Sequence, residues 1–177
     1  IRLGLITYNQ NNPEGAINYY KQVFSNNPSQ EEASLALAAL EEIYVDDLGR
    51  SDDYFTFLET IPGYKVDNLA RDSITYRSAE AQFENANYQR AIEGYTDYLR
   101  KFPNGYYALD ARYKRGESYA VLKQYPEALR DYEFVVERGQ SRYYVRGLEK
   151  AAIIAYNYSQ DFAKAYSFYT RLEQAAS

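Results

Sequence analysis

The sequence predicts an all-α fold of repeated helical hairpins, because three features agree. An alanine recurs at intervals of 37 residues, at Ala91, Ala128 and Ala165, and an earlier copy carries Ala16. A tyrosine follows each of these alanines four residues later, about one helical turn further on. No segment alternates between apolar and polar residues with a period of two, so we predict no strand. Self-similarity at intervals of about 20 to 50 residues is typical of stacked repeats.

The helices follow from hydrophobic period and from the residues that start and stop them. Asp67 and Ser141 are candidate N-caps, and Pro126 suits the first turn of a helix. We predict helices at 2–10, 13–25, 30–47, 51–61, 67–85, 88–101, 107–123, 126–138, 142–158 and 161–175, in antiparallel pairs. These pairs form five units within a single domain, at about 1–28, 29–65, 66–103, 104–140 and 141–177.

Small residues and tyrosines hold fixed places relative to the recurring alanine. Small residues suit the points where two helices cross closely, because a larger side chain would push the helix axes apart. They stand twelve residues before the alanine, at Gly4, Ala79 and Gly116. The tyrosines are expected in the core, filling the space between adjacent hairpins. They are Tyr20, Tyr95, Tyr132 and Tyr169.

Two units depart from this pattern. The second unit has Tyr54 in the alanine position and Glu42 in the small-residue position, so we expect its hairpin to pack at a different angle. The fifth unit has Ile153 where glycine or alanine is usual, which predicts a splayed hairpin.

The recurring small, aromatic and proline positions resemble the tetratricopeptide repeat (TPR) family, over nearly the whole chain. The resemblance implies an α-solenoid of about five repeats that forms a right-handed superhelix with a concave inner face. The stretch FPNGYYALDARY, at 102–113, is similar to the repeats of bacterial cell-envelope members, such as the barrel-assembly lipoprotein and the Tol-Pal coordinator. This similarity favours a periplasmic or cell-envelope location. We also expect the chain to be part of a longer protein.

The resemblance also implies a partner-binding face on the first helix of each unit. The face would be aromatic and mainly acidic, which suits a protein or peptide segment that carries basic and apolar side chains. Its alternative is a solvated helix surface without a ligand. The positions are Tyr76, Glu80, Phe83 and Glu84 in the third unit, Asp110, Tyr113 and Glu117 in the fourth, and Lys150, Ile154, Asn157 and Tyr158 in the fifth.

Composition argues against several other functions. The chain has no Cys and no His, and no acid-base or nucleophile constellation is visible, so we predict no enzyme, no metal and no cofactor. The net charge of −5 argues against nucleic acid, and no apolar run is long enough for membrane insertion. Two alternatives stay open: a structural spacer that self-associates through its uncapped ends, and a binder of glycans or small molecules through exposed tyrosines.

Overall fold

The computed structural model describes residues 1–176, and the regular structure in that range is entirely helical. The predicted all-α, TPR-like fold class is confirmed. Helix ends agree with the prediction to within about two residues, except in the third helix. The helices are α1 Arg2–Asn9, α2 Pro13–Val23, α3 Gln30–Glu41, α4 Ser51–Glu59, α5 Asn68–Glu84, α6 Tyr88–Lys101, α7 Ala108–Val121, α8 Tyr125–Glu137, α9 Tyr144–Asn157 and α10 Phe162–Ala176.

The chain divides into two compact units, Ile1–Ala81 and Gln82–Ser177. In the first unit, α1 packs on α2 and α2 packs on α3. Its core includes the alanine and the tyrosine of the first repeat, Ala16 and Tyr20, together with Leu40 and Leu58. Burial of these side chains supplies the apolar contacts that hold the hairpins together.

The predicted helix at 30–47 changes its winding partway along. After α3, the residues Glu42–Asp47 form a π-helix, in which Leu48 N–H donates to Ile43 O at 3.0 Å. The wider turn buries three consecutive side chains, Ile43, Tyr44 and Val45. An α-helix turns about 100° per residue and does not place three consecutive side chains on one face. Tyr54, in the alanine position, is also buried here.

In the second unit, each helix from α6 to α10 packs on the next one along the chain. The recurring alanines Ala128 and Ala165 lie in one hydrophobic cluster with Tyr132, Leu148 and Phe168. Tyr95 and Tyr132 are fully buried, as the repeat pattern predicts.

One sequence prediction in the fifth repeat is wrong. The repeat pattern places Tyr169 in the core, but Tyr169 is 45% exposed, and Ile153 on the preceding helix is equally exposed. Their positions in the preceding repeat, Tyr132 and Gly116, are buried. A side chain at a given repeat position is therefore buried only where another helix packs over it.

The predicted helix starts have mixed outcomes. Asp67 accepts a hydrogen bond from Ala70 N–H at 2.8 Å, which confirms it as a cap. Pro126 lies in the first turn of α8, as predicted. The prediction for Ser141 is wrong, because α9 begins only at Tyr144. The Ser141 side chain accepts a hydrogen bond from Tyr143 N–H at 3.3 Å, within the turn that precedes the helix.

Candidate protein-binding face

Tyr113 forms the floor of the predicted face in the second unit. Its ring stacks on that of Tyr143, with centroids 4.4 Å apart and planes inclined by 16°. A third ring, Tyr132, meets it edge to face at 5.7 Å. Tyr113 is only 4% exposed, so it shapes this surface without projecting from it.

Asp110, on α7, makes two side-chain contacts with the turn before α9. Its carboxylate accepts a hydrogen bond from the Tyr143 hydroxyl at 2.7 Å and forms an ion pair with Arg142. Asp110 is buried, and a buried carboxylate needs such partners to offset the loss of water. The contacts fix the Tyr143 ring over Tyr113.

Charged side chains of both signs act on Tyr113 at this surface. Burial raises the pKa of Tyr113 to about 12, and the negative charges of Glu117 and Glu149 act in the same direction, while Arg146 opposes them. Glu117 lies about one helical turn beyond Tyr113 on α7. We call this surface the α7 face, and it comprises Asp110, Tyr113, Glu117, Tyr143 and Glu149.

Phe83 and Glu84 lie at the end of α5. The Phe83 ring is partly buried and meets Tyr88 edge to face at 5.8 Å. The ammonium of Lys114, on α7, stands 5.4 Å from the same ring. Burial lowers the pKa of Lys114. Glu84 is exposed.

The predicted residues of α9 have different surroundings. Lys150 and Asn157 are exposed. Tyr158, just after the helix, is 54% exposed and stacks on Tyr125, with centroids 3.7 Å apart. Ile154 is 4% exposed and belongs to the hydrophobic core, so it is unavailable to a partner.

Tyr76 and Glu80 belong to the first unit. The Tyr76 hydroxyl donates to Glu80 Oε2 at 2.9 Å, one helical turn away on α5. Tyr76 is 9% exposed, and Glu80 is partly buried. The Tyr76 ring is therefore mostly buried, and the partly exposed group of the pair is the Glu80 carboxylate.

Sequence reasoning missed Tyr143, which lies in a turn and not on a first helix. A signal for it was present, because the pair Tyr106-Tyr107 recurs as Tyr143-Tyr144 after 37 residues. A repeated aromatic pair in a turn predicts a repeated packing role. The repeat pattern also did not predict the burial of Tyr113, because this burial depends on contact with the turn that carries Tyr143.

Two features of the described residues bear on other functions. No helix within residues 1–176 is both long enough and apolar enough to cross a bilayer. In the same part of the chain, no group of three or more acidic, His or Cys side chains is arranged to hold a metal ion.

Comparison with known proteins supports the TPR-like fold. The family model described as tetratricopeptide repeat matches residues 76–142. A crystal structure of MamA aligns with 97% of this chain and 93% of that chain, at a TM-score of 0.52 and 19% sequence identity. A second crystal structure of MamA protein covers 98% of this chain and 91% of that chain, at a TM-score of 0.47 and 20% identity. No curated protein matches the sequence.

The first of these alignments shows a shared fold and, at 19% identity, nothing about partners. The class defined by the fold and the repeat match is a TPR-like helical repeat protein. TPR repeats generally mediate contacts between proteins.

Proposed function

We propose that the chain is a non-enzymatic module that binds a segment of a protein partner on the first helices of its repeats. The observation that carries this proposal is the α7 face, where Asp110 fixes Tyr143 on Tyr113 beside Glu117. A surface that is ordered before binding loses little conformational entropy when a partner arrives.

The chemistry of the face suggests the kind of partner segment. Glu117 and Glu149 both act on Tyr113 as negative charges and Arg146 as a positive one, while the partly exposed ring of Tyr143, stacked on the buried Tyr113, offers an apolar surface. A segment with Lys or Arg next to an apolar side chain complements both features. Phe83, Glu84, Lys150 and Tyr158, which lie in the same unit as the α7 face, are proposed as further contacts. Glu80 is proposed as a contact on the first unit.

The proposal can be tested by site-specific crosslinking. A photoreactive side chain at position 117 should capture a partner from the native cell. The control places the same group at position 130, on the exposed part of α8. Because position 130 lies outside the α7 face, it should capture little of that partner. Equal capture from both positions would show that binding does not involve this face.

Self-association is a second candidate function, and it rests on exposed apolar side chains at α1 and α10. Leu3 and Leu5 on α1 are 59% and 52% exposed, and Tyr166 and Tyr169 on α10 are 75% and 45% exposed. Exposed apolar patches are typical of contact surfaces. Light scattering over a range of concentrations tests the idea. A particle that stays monomeric throughout would contradict it.

A further inference from the structure

A second surface of the same unit differs in charge from the α7 face. The turn before α7 and the end of α8 enclose a pocket of about 320 Å³, lined by Pro103, Tyr106, Leu109, Phe134 and Arg138 among others. Tyr106 is 83% exposed. The pocket therefore combines apolar walls with one cation, and none of its lining residues belongs to the α7 face.

Two guanidinium groups stand against the ring of Phe134. The Cζ atom of Arg112 lies 4.1 Å from the ring centroid, and that of Arg138 lies 4.6 Å from it. Contact with an aromatic face holds a guanidinium in place and leaves its N–H groups able to donate. Arg138 is exposed and caps the C-terminal end of α8, where the helix dipole favours a cation.

The acidic side chains around the end of α8 do not neutralise Arg138. Each of them pairs with another cation: Asp131 with Arg115 at 2.7 Å, Glu133 with Lys164 at 2.7 Å, and Glu137 with Arg171 at 2.8 Å. Within residues 1–176, no carboxylate forms an ion pair with Arg138. A chain with a net charge of −5 thus presents a cation beside exposed aromatic surface.

The next repeat has a different arrangement at the same position. Tyr143 stands in the repeat position of Tyr106, 37 residues later. Its ring is packed on Tyr113 and held by Asp110. Tyr106 instead meets its neighbour Tyr107 edge to face at 4.9 Å and leaves most of its surface in solvent. With 83% of its surface exposed, Tyr106 can contact another molecule through that surface.

We propose that this pocket, lined by Tyr106, Leu109, Phe134 and Arg138, binds an acidic peptide segment of a protein partner. A carboxylate of the segment accepts from the Arg138 guanidinium, and an adjacent apolar side chain packs on Tyr106 and Phe134. The segment differs in charge from the basic one proposed for the α7 face. The two proposals use different residues, so either can fail without the other.

The test is a nuclear magnetic resonance titration with a defined probe, acetyl-Glu-Leu-Glu-Phe-Glu-amide. We expect saturable shifts at Gly105, Leu109, Phe134 and Arg138, with binding that weakens as salt is added. The matched probe acetyl-Gln-Leu-Gln-Phe-Gln-amide should bind at least about fivefold more weakly, because it lacks the carboxylates.

Substitutions test whether the acidic probe binds at this pocket. Arg138→Gln should weaken binding of the acidic probe by about fivefold or more. Arg130→Gln is the control, since Arg130 is an exposed arginine on the same helix, outside the pocket, and should leave the affinity unchanged. Tyr106→Ser, at an exposed position, should also weaken binding. Thermal unfolding checks that each variant is folded.

Several results would overturn the proposal. They are the absence of saturable shifts, equal binding of the glutamine probe, or equal losses in Arg138→Gln and Arg130→Gln. Sodium sulfate serves as a probe of charge alone. If it reproduced the shifts at the same concentration, the site would bind a small anion and the peptide assignment would be wrong.

Discussion

The ring of Tyr132 fills the space that a side chain at Gly116 would need. A Cβ atom at Gly116 would lie 3.1 Å from Cε1 of Tyr132. The same relationship recurs in the first unit, where a Cβ atom at Gly4 would lie 2.8 Å from Cζ of Tyr20. The glycine and the tyrosine of a repeat, sixteen residues apart in sequence, thus form one packing contact.

Enlarging Gly116 should disrupt this contact. We expect Gly116→Val to lower the free energy of unfolding by about 1 to 3 kcal/mol, because the Tyr132 ring must move. Denaturant titration measures the loss. Ala163→Val, at an exposed position of α10, is the control and should change stability by less than about 1 kcal/mol. Equal losses in the two variants would mean that Gly116 is not a close-contact position.

The buried carboxylate of Asp131 offers a second test. It is 2% exposed and accepts hydrogen bonds from Arg115 Nε and a terminal nitrogen of Arg115, both at 2.7 Å. We expect Asp131→Asn to cost about 3 to 5 kcal/mol, because it leaves a mostly buried guanidinium without its counter-charge. Chemical denaturation of the purified variant gives the value.

The control for this variant is Glu127→Gln on the same helix. Glu127 pairs with Arg130, and both side chains are substantially exposed, so the cost should be about 0 to 1 kcal/mol. If Asp131→Asn lowered the free energy of unfolding as little as Glu127→Gln, the buried Asp131–Arg115 pair would not contribute to stability as its geometry indicates.

Tyr113 should make stability fall at alkaline pH. Its pKa is raised to about 12, mainly by burial, above the value of about 10 expected in an unfolded chain. The folded state therefore favours the neutral phenol. This contribution is fully present below about pH 10 and is lost as the pH rises towards 12.

Denaturant titrations between pH 9 and about 12 test this behaviour. Tyr113→Phe removes the ionisable hydroxyl and keeps the ring, so its stability should fall less steeply than that of the wild type. Other tyrosines titrate in both proteins and cancel in the comparison. Identical slopes would contradict the raised pKa of Tyr113.

Tyr132 and Tyr169 hold the same repeat position in different surroundings. Tyr132 is 1% exposed and Tyr169 is 45% exposed. We expect Tyr132→Ala to cost about 3 to 5 kcal/mol through loss of packing and creation of a cavity. Tyr169→Ala, the matched control, should cost less than about 1.5 kcal/mol. Similar costs for both would show that burial at this position does not set stability.

Periodicity was sufficient to predict most helices of this protein. The recurring alanines and their tyrosines lie on the helix faces that local spacing indicates, and Ala16, Ala91 and Ala128 are fully buried. Such predictions succeed because a helix face is determined by residues three and four apart, all within one short segment.

Features that depend on distant contacts were not predictable in this way. The π-helix at Glu42–Asp47 accompanies the burial of Tyr54 in an alanine position, and the spacing of α3 alone does not reveal it. The exposure of Tyr169 depends on which helix packs above it. The α7 face was only half predicted, since Tyr143 reaches it from a turn.

The central functional claim is that the α7 face recognises a basic and apolar segment. Its most direct test is the affinity for the partner captured by crosslinking at position 117, measured by calorimetry with the purified proteins. Glu117→Lys should weaken binding by at least about tenfold, because it reverses the charge beside the stacked tyrosines. Glu127→Lys, on α8 outside the face, should bind like the wild type. Unchanged affinity in Glu117→Lys, with the fold intact by circular dichroism, would contradict the claim.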